Sequence, residues 1–233
     1  MKKNTVFVIL GVILVVCLFL VTIFLPQKEE KESRYKANLL NVNYDIEGNE
    51  GEISYGDSNP VIAMKIKNYG SIIMELYPDI APNTVANFVS LVKDGFYDDN
   101  TFHRLVPGFV LQGGDPDGKG TGGPGYSIKG EFNSNGYNND LVHDKWIVSM
   151  ARSSSPDSAG SQFFICLEKA SNLDGEYASF GKIIEGFKNI EAIVENENVV
   201  NKQTGQLEKN LIIEKAIVDL KGNSIPEVEK VNN

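Results

Sequence analysis

Histidine, cysteine and tryptophan are almost missing from this chain: two His, two Cys and one Trp in 233 residues. His103 and His143 are too few, and Cys17 too far inside an apolar run, for a His/Cys set of the kind that holds zinc. No disulfide can form within the region that carries Cys166. That cysteine follows Phe163-Phe164-Ile165 and reads as a small buried hydrophobe. Positive charge is also short, since 22 Lys and Arg against 31 Asp and Glu give a formal net charge of −9. With no basic stripe beyond the flanks of the apolar run, no nucleic-acid partner is expected.

Other chemistries fail on single positions. Gly113 to Lys119 has the spacing of a phosphate-binding loop, but Gly120 stands where a hydroxyl would hold magnesium. Asp115-Pro116-Asp117 opens like a calcium loop, yet Lys119 and Tyr126 occupy positions that need oxygen ligands. Ser153, Ser154, Ser155 and Asp157 form a polar cluster without a G-x-S-x-G nucleophile elbow. Neither a metal nor a cofactor is expected, and no internal repeat is visible.

What is present divides unevenly. Residues 1–5 are a short basic tail with Lys2 and Lys3, and residues 6–25 are an uncharged apolar run of 20 residues. Twenty helical residues span roughly 30 Å, enough for one bilayer crossing. The run ends Ile23-Phe24-Leu25-Pro26 with no small residues placed for cleavage, so an uncleaved transmembrane anchor is expected. Lys28, Lys31, Arg34 and Lys36 on the far flank oppose an outward domain on a strict count of cations. The short basic tail before a first apolar segment nonetheless looks like an export signal. The expectation is a single-pass cell-membrane protein with an extracytoplasmic domain. Residues 26–59, of mixed charge and then rich in Asn, Glu and Gly, read as a tether.

Residues 60–222 suit one domain with a sizeable core, followed by a C-terminal tail at 223–233. Residues 61–67 and 71–76 read as a hairpin around Asn68-Tyr69-Gly70. A helix is predicted from Pro82 to about Asp94, with Gly95 as its stop and Val85, Phe88, Val89 and Val92 as its buried stripe. A second helix is predicted over 187–195 and a closing strand over 211–220. Between them, short apolar runs alternate with Gly, Asn, Asp and Ser, the pattern of an antiparallel sheet or barrel.

The most informative stretch runs from Phe102 to Asp115. Leu105-Val106 leads into Pro107-Gly108, and Phe109-Val110-Leu111 returns to the Gly113-Gly114 pair. Strict alternation puts Phe109 with Leu111 on one face and Val110 with Gln112 on the other. A bulge or twist could still gather Arg104, Phe109 and Gln112 around one opening. A guanidinium beside apolar surface suits a greasy substrate with one amide to grip. His103 reads as a structural, hydrogen-bonding residue.

Four motifs in order carry a resemblance: Phe102-His103-Arg104 through Asp115; Gly120-Thr121-Gly122-Gly123; Ser149-Met150-Ala151-Arg152-Ser153 with Gly160-Ser161-Gln162-Phe163-Phe164-Ile165-Cys166; and Leu173-Asp174-Gly175 with Phe180-Gly181-Lys182. From about Val61 to about Leu220 the chain closely resembles the cyclophilin family of peptidyl-prolyl cis-trans isomerases. The resemblance implies a mainly β fold, a closed eight-stranded antiparallel barrel capped by two helices. It implies acceleration of rotation about Xaa-Pro bonds in proline-containing polypeptides, with a role in folding near the membrane and a monomeric state. By matching positions it implies Arg104, Phe109 and Gln112 as catalytic residues. Val110, Gly120, Ala151, Arg152, Ser153, Gln162, Phe164, Leu173 and Tyr177 are implied to bind substrate. The rival expectation is a non-catalytic proline-peptide-binding scaffold module that uses the same groove.

Four positions depart from the family. Asn172 stands where many members carry tryptophan, which matters for cyclosporin, the cyclic peptide that binds cyclophilins in this groove. Tyr177 replaces a histidine, Arg152 a commoner asparagine whose contact is largely through backbone, and Val110 the usual methionine.

Overall fold

The computed structural model describes residues 59–231. The basic tail, the apolar run at 6–25 and all but the end of the tether lie outside the described residues. Among those described, no helix is long and apolar enough to cross a membrane.

The chain is mainly β. Strands β1 (Val61–Ile66) and β2 (Gly70–Leu76) form the expected hairpin. After helix α1 (Pro82–Lys93) come β3 (Thr101–Val106), β4 (Val110–Asp115), the short β5 (Ser127–Ile128), β6 (Ile147–Met150) and β7 (Phe163–Cys166). Then follow β8 (Ser179–Glu185), helix α2 (Phe187–Asn196), β9 (Val199–Asn201), β10 (Gln206–Asp219) and β11 (Lys230–Val231). The sheet runs β1-β2-β8-β6-β7-β4-β3-β10, and β10 pairs again with β1, closing an eight-stranded antiparallel barrel. Closure leaves these strands without free edges. β10 can close it because it is 14 residues long, serving β3 and β9 at one end and β1 at the other. The predicted closing strand covered only its second half.

Inward side chains fill the barrel as one apolar core. Phe88 of α1 meets Phe163 edge-on at 5.2 Å, and Tyr97 and Phe102 meet the same ring at 5.7 and 5.6 Å. Burying such a ring contributes roughly 1.5–3 kcal/mol by area. Helix α1 starts with proline at its first turn, and Ala81 at its cap offers no side-chain acceptor. Glu131 supplies one from far along the chain, accepting from the Asn83 and Thr84 backbone N–H groups at 3.1 and 2.7 Å. An acid there also suits the positive end of the helix dipole.

The segment after residue 222, expected as a tail, returns to the domain. Ile225 and Val228 pack against the core, and β11 pairs with β5. Asn83 and Glu229 exchange hydrogen bonds of 2.9 and 2.8 Å.

Candidate active site

The outer faces of β3, β4, β7 and β6 build one row of residues. Arg104 lies opposite Gln112, Gln112 opposite Phe164, and Phe164 opposite Ser149. On the barrel side of the same strands lie Leu105, Leu111, Phe163, Ile165, Val148 and Met150, all in the core.

A bulge puts Arg104 in that row. Phe102 pairs with Gly113 and Arg104 with Gln112, so His103 is the extra residue. Without it, Phe102 and Arg104 would share the core face. With it, Phe102 and Leu105 both point inward while Arg104 turns to the groove. His103 itself is buried, and neither ring nitrogen finds a hydrogen-bond partner among the described residues. The hydrogen-bonding role expected for it is therefore corrected to a bulge residue. Burial pushes its pKa down, and Arg104 adds to that against the opposing pull of Asp115.

Arg104 is held at two points. Its Nε donates to the Thr204 carbonyl at 2.7 Å and its Nη1 to Gln112 Oε1 at 3.2 Å. The turn that presents Thr204 is closed by Asn201, whose Oδ1 accepts from Gln203 and Thr204 N–H at 3.0 and 3.2 Å. Gly205 completes it at φ +77°, where a Cβ would sit 2.6 Å from Val106 Cγ2 and 2.8 Å from the Leu105 carbonyl. Only glycine lets that turn lie so close to β3. Burial lowers the pKa of Arg104, and the neighbouring Tyr177 partly offsets this. A guanidinium remains charged through the physiological range.

From Arg104 a chain of amides crosses the groove. Gln112 accepts from the arginine and donates to Gln162 Oε1 at 3.0 Å, and Gln162 donates to the Gly122 carbonyl at 2.9 Å. The cation fixes which end of each amide faces which way, so the relay has one polarity.

Beside the row lies a second apolar cluster. Val110, Phe164, Cys166, Ala170 and Leu173 form a buried cluster separate from the core, with Phe109, Ala151 and Tyr177 half-buried against it. Tyr177 meets Phe164 edge-on, centroids 5.7 Å apart. Phe109 sits here with Val110 rather than with Leu111, against strict alternation. It belongs to the turn before β4, where the pleat has not begun. Residues 151–153 follow β6, and Ala151 N–H donates to the Gln162 carbonyl at 2.9 Å. Ser153 is exposed and bonded to Ser158 Oγ through both its N–H and its hydroxyl, at 2.9 and 2.8 Å. Gly120 is exposed on a loop wound around Asp115, whose carboxylate accepts from the N–H groups of Asp117, Lys119, Gly120 and Thr121. Burial would raise the pKa of Asp115, but these backbone donors prevail and hold it below its usual range. Asn172 is exposed on the single 3-10 turn Ser171–Leu173 that carries Leu173.

The structure thus brings Arg104, Phe109, Val110, Gln112, Ala151, Gln162, Phe164, Leu173 and Tyr177 around one opening. Gly120 and Ser153 stand exposed on loops. The Arg152 side chain turns instead onto Tyr177 and the Glu176 carbonyl.

Two features of the site had no signal in the sequence. The turn at Thr204 depends on a pairing a hundred residues from Arg104. The other is a Ser-His-Asp arrangement, with His143 Nε2 3.0 Å from Ser149 Oγ and His143 Nδ1 3.0 Å from Asp174 Oδ1. Ser149 is wholly buried, so no substrate carbonyl can reach its hydroxyl. The imidazole stacks on Phe164 at 6.0 Å and braces it from behind.

Comparison with known proteins matches this geometry to one family. The model of the cyclophilin type peptidyl-prolyl cis-trans isomerase/CLD family matches residues 61–218. Peptidyl-prolyl cis-trans isomerase B of Bacillus subtilis is 48% identical over 123 residues, which is 53% of this chain and 82% of that protein. A peptidyl-prolyl cis-trans isomerase of Synechococcus elongatus is 50% identical over 113 residues, 48% of this chain and 73% of that one. Among solved structures, a cyclophilin type peptidyl-prolyl cis-trans isomerase of Cryptosporidium parvum, crystallised in the presence of the dipeptide Ala-Pro, superposes with a TM-score of 0.60. It shares 32% identity, covering 68% of this chain and 98% of that one.

Proposed function

This chain belongs to the cyclophilin-type peptidyl-prolyl cis-trans isomerases, and we propose that its groove accelerates rotation about Xaa-Pro peptide bonds with Arg104 as the central donor. The observation that carries this reading is the row Arg104–Gln112–Phe164, a pinned cation beside the apolar cluster of Val110, Phe164 and Leu173. Amide rotation has a barrier of ~18–20 kcal/mol because the nitrogen lone pair is delocalised into the carbonyl. In the twisted transition state that pair localises on nitrogen and becomes an acceptor. A fixed guanidinium aimed there binds the twisted state better than either planar isomer, which is what lowers the barrier. No bond is broken and no proton need move.

Arg104 is not sufficient alone. A 10⁴-fold acceleration needs ~5.5 kcal/mol, whereas a charge-assisted hydrogen bond contributes ~1.5–3 kcal/mol. The remainder comes from holding the proline ring against Phe109, Val110, Phe164, Leu173 and Tyr177 while the flanking carbonyl turns. Gln112 both orients Arg104 and, with Gln162 and the backbone of 151–153, grips the peptide. Gly120 lies at the rim.

An NMR exchange assay on an Xaa-Pro peptide tests this. Arg104→Ala is expected to lose at least about tenfold in kcat/KM with little change in thermal midpoint. Arg104→Lys should recover only part, since an ammonium lacks the planar fork. Full activity in Arg104→Ala would remove the mechanism, and peptide binding without exchange in wild type would favour a scaffold module.

The apolar run at residues 6–25 would anchor a monomeric domain to the cell membrane, facing outward and serving proteins that fold there. Removal of residues 1–34 should leave a soluble, active domain. Protease added to intact cells should digest that domain; digestion only after lysis would reverse the orientation.

A further inference from the structure

Arg152 and Tyr177, two separate departures from the family pattern, are in contact. The Arg152 side chain is only 14% exposed, and all its nitrogens are engaged. Nε and Nη2 donate to the Glu176 carbonyl at 3.1 and 3.0 Å, and Nη1 to the Ser153 carbonyl at 3.0 Å. A longer 3.5 Å contact reaches the Ser154 carbonyl, and Nη2 lies 3.6 Å from the Glu176 carboxylate. Its Cζ stands 4.7 Å from the centroid of the Tyr177 ring and 5.1 Å from that of Phe132.

These contacts tie every nitrogen of the guanidinium to the protein itself. They join the two walls of the groove. One wall is the run 151–154, whose Ser153 and Ser154 carbonyls accept from Arg152; the other is the segment carrying Glu176 and Tyr177. Gripping the Glu176 carbonyl sets the backbone just before Tyr177, and the cation–π contact sets the face of its ring. The ring then meets Phe164 edge-on at 5.7 Å, as the outer wall of the pocket.

We infer that Arg152 is a positioning residue, a staple that holds Tyr177 in place and so sets the width of the pocket and the tightness with which the prolyl residue is held. The inference rests on the function proposed above and deepens it. The staple acts on binding of the ring more than on the rotation itself, because Arg104 is pinned from the other side by Thr204 and Gln112. Arginine is required, since lysine could stay over the rings but has no fork for the carbonyl.

Kinetics and ring NMR on the domain test this together. Arg152→Ala should raise KM roughly threefold to tenfold, the range that loss of one cation–π contact implies, with kcat falling by less than about twofold. Arg152→Lys should fall between, and covers the case in which alanine unfolds the domain. In a Tyr177→Leu background, Arg152→Ala should add no further rise, whereas a merely structural arginine would cost the same in both backgrounds. Without peptide, the Tyr177 ring signals should shift and its flips quicken in Arg152→Ala. Unchanged KM with unchanged Tyr177 signals, or an equal penalty in both backgrounds, would overturn the staple. A wild type without isomerase activity would count against the function, while the Tyr177 signals would still decide the staple.

Discussion

Strands β4, β6 and β7 carry apolar residues on both faces, yet the two faces differ in what covers them. Inward, Leu111, Val148, Met150, Phe163 and Ile165 meet the opposite side of the barrel and Phe88 of α1, and their exposure is 0–1%. Outward, Val110, Phe164 and Cys166 meet one another, the His143 ring, a 3-10 turn and half-buried Phe109, Ala151 and Tyr177. Residue type does not separate the faces, because Phe163 and Phe164 are the same amino acid one step apart. What they pack against separates them, since Val110, Phe164 and Cys166 are themselves only 2, 5 and 0% exposed. An apolar cluster roofed by half-buried side chains, and edged by a pinned cation and a polarised amide relay, is where a polypeptide can dock.

Truncating each phenylalanine in turn separates the two faces by the largest expected effect. Phe163→Ala removes a ring with three aromatic neighbours in the core. It should cost about 3–5 kcal/mol, read as a large drop in thermal midpoint and denaturant midpoint. Phe164→Ala should cost about half that or less, but reduce kcat/KM at least about tenfold in the folded protein. Equal destabilisation by the two would mean that the outer cluster is simply a second core.

Much of the inner face was legible from sequence and less of the outer one. The β1–β2 hairpin, both helices and the stripe Val85, Phe88, Val89 and Val92 follow from local periodicity, and all four stripe residues are buried. β5 and β11 were not legible, because each is two residues long and exists only through a pairing across the fold. The polar first half of β10 has no apolar alternation to betray it, since its strand state comes from β3 and β9. Family motifs pointed to the groove residues, and a bulge or twist was expected near Arg104 without its place at His103; the Thr204 turn, the Glu131 helix cap and the brace at His143 depend on distant partners. Such contacts are set by the closed barrel rather than by neighbours in the chain.

Asn172 is exposed beside Leu173 at the rim, where many members of the family carry tryptophan. An amide can donate but offers little apolar area for a ligand to cover. Inhibition by cyclosporin should therefore be weak. Asn172→Trp should tighten it by roughly thirtyfold, equivalent to about 2 kcal/mol, with turnover changed only modestly. Low-nanomolar inhibition of wild type in a competition assay would show that the rim at Asn172 matters less to ligands than the pocket beneath it.

The smallest effect expected on the groove is that of pH. Arg104 stays charged, Tyr69 and Tyr77 are pushed up to about 12, chiefly by burial, and burial pushes the Cys166 thiol up to about 12 as well. Activity of the folded protein should therefore be flat from about pH 6 to 9. Stability should not be flat on the acid side. Burial holds both His103 and His143 below the ordinary 6.5, outweighing the opposing pull of Asp115 and Asp174. Below 6.5 the unfolded chain takes up protons that the folded chain refuses, so the unfolded state binds more and stability falls with pH. The slope can reach about 1.4 kcal/mol per pH unit for each histidine. Asp115 and Asp157, held below 3.8, lose their contribution only as pH falls through that value and lower, so the window between 6.5 and 5 belongs to the histidines. Denaturant titrations at pH 7, 6 and 5.5 should show this slope in wild type, and His143→Gln should remove its own share. A bell-shaped kcat/KM profile with a limb between pH 6 and 7 would instead draw a histidine into turnover, and the division between a titrating back wall and a non-titrating groove would fail.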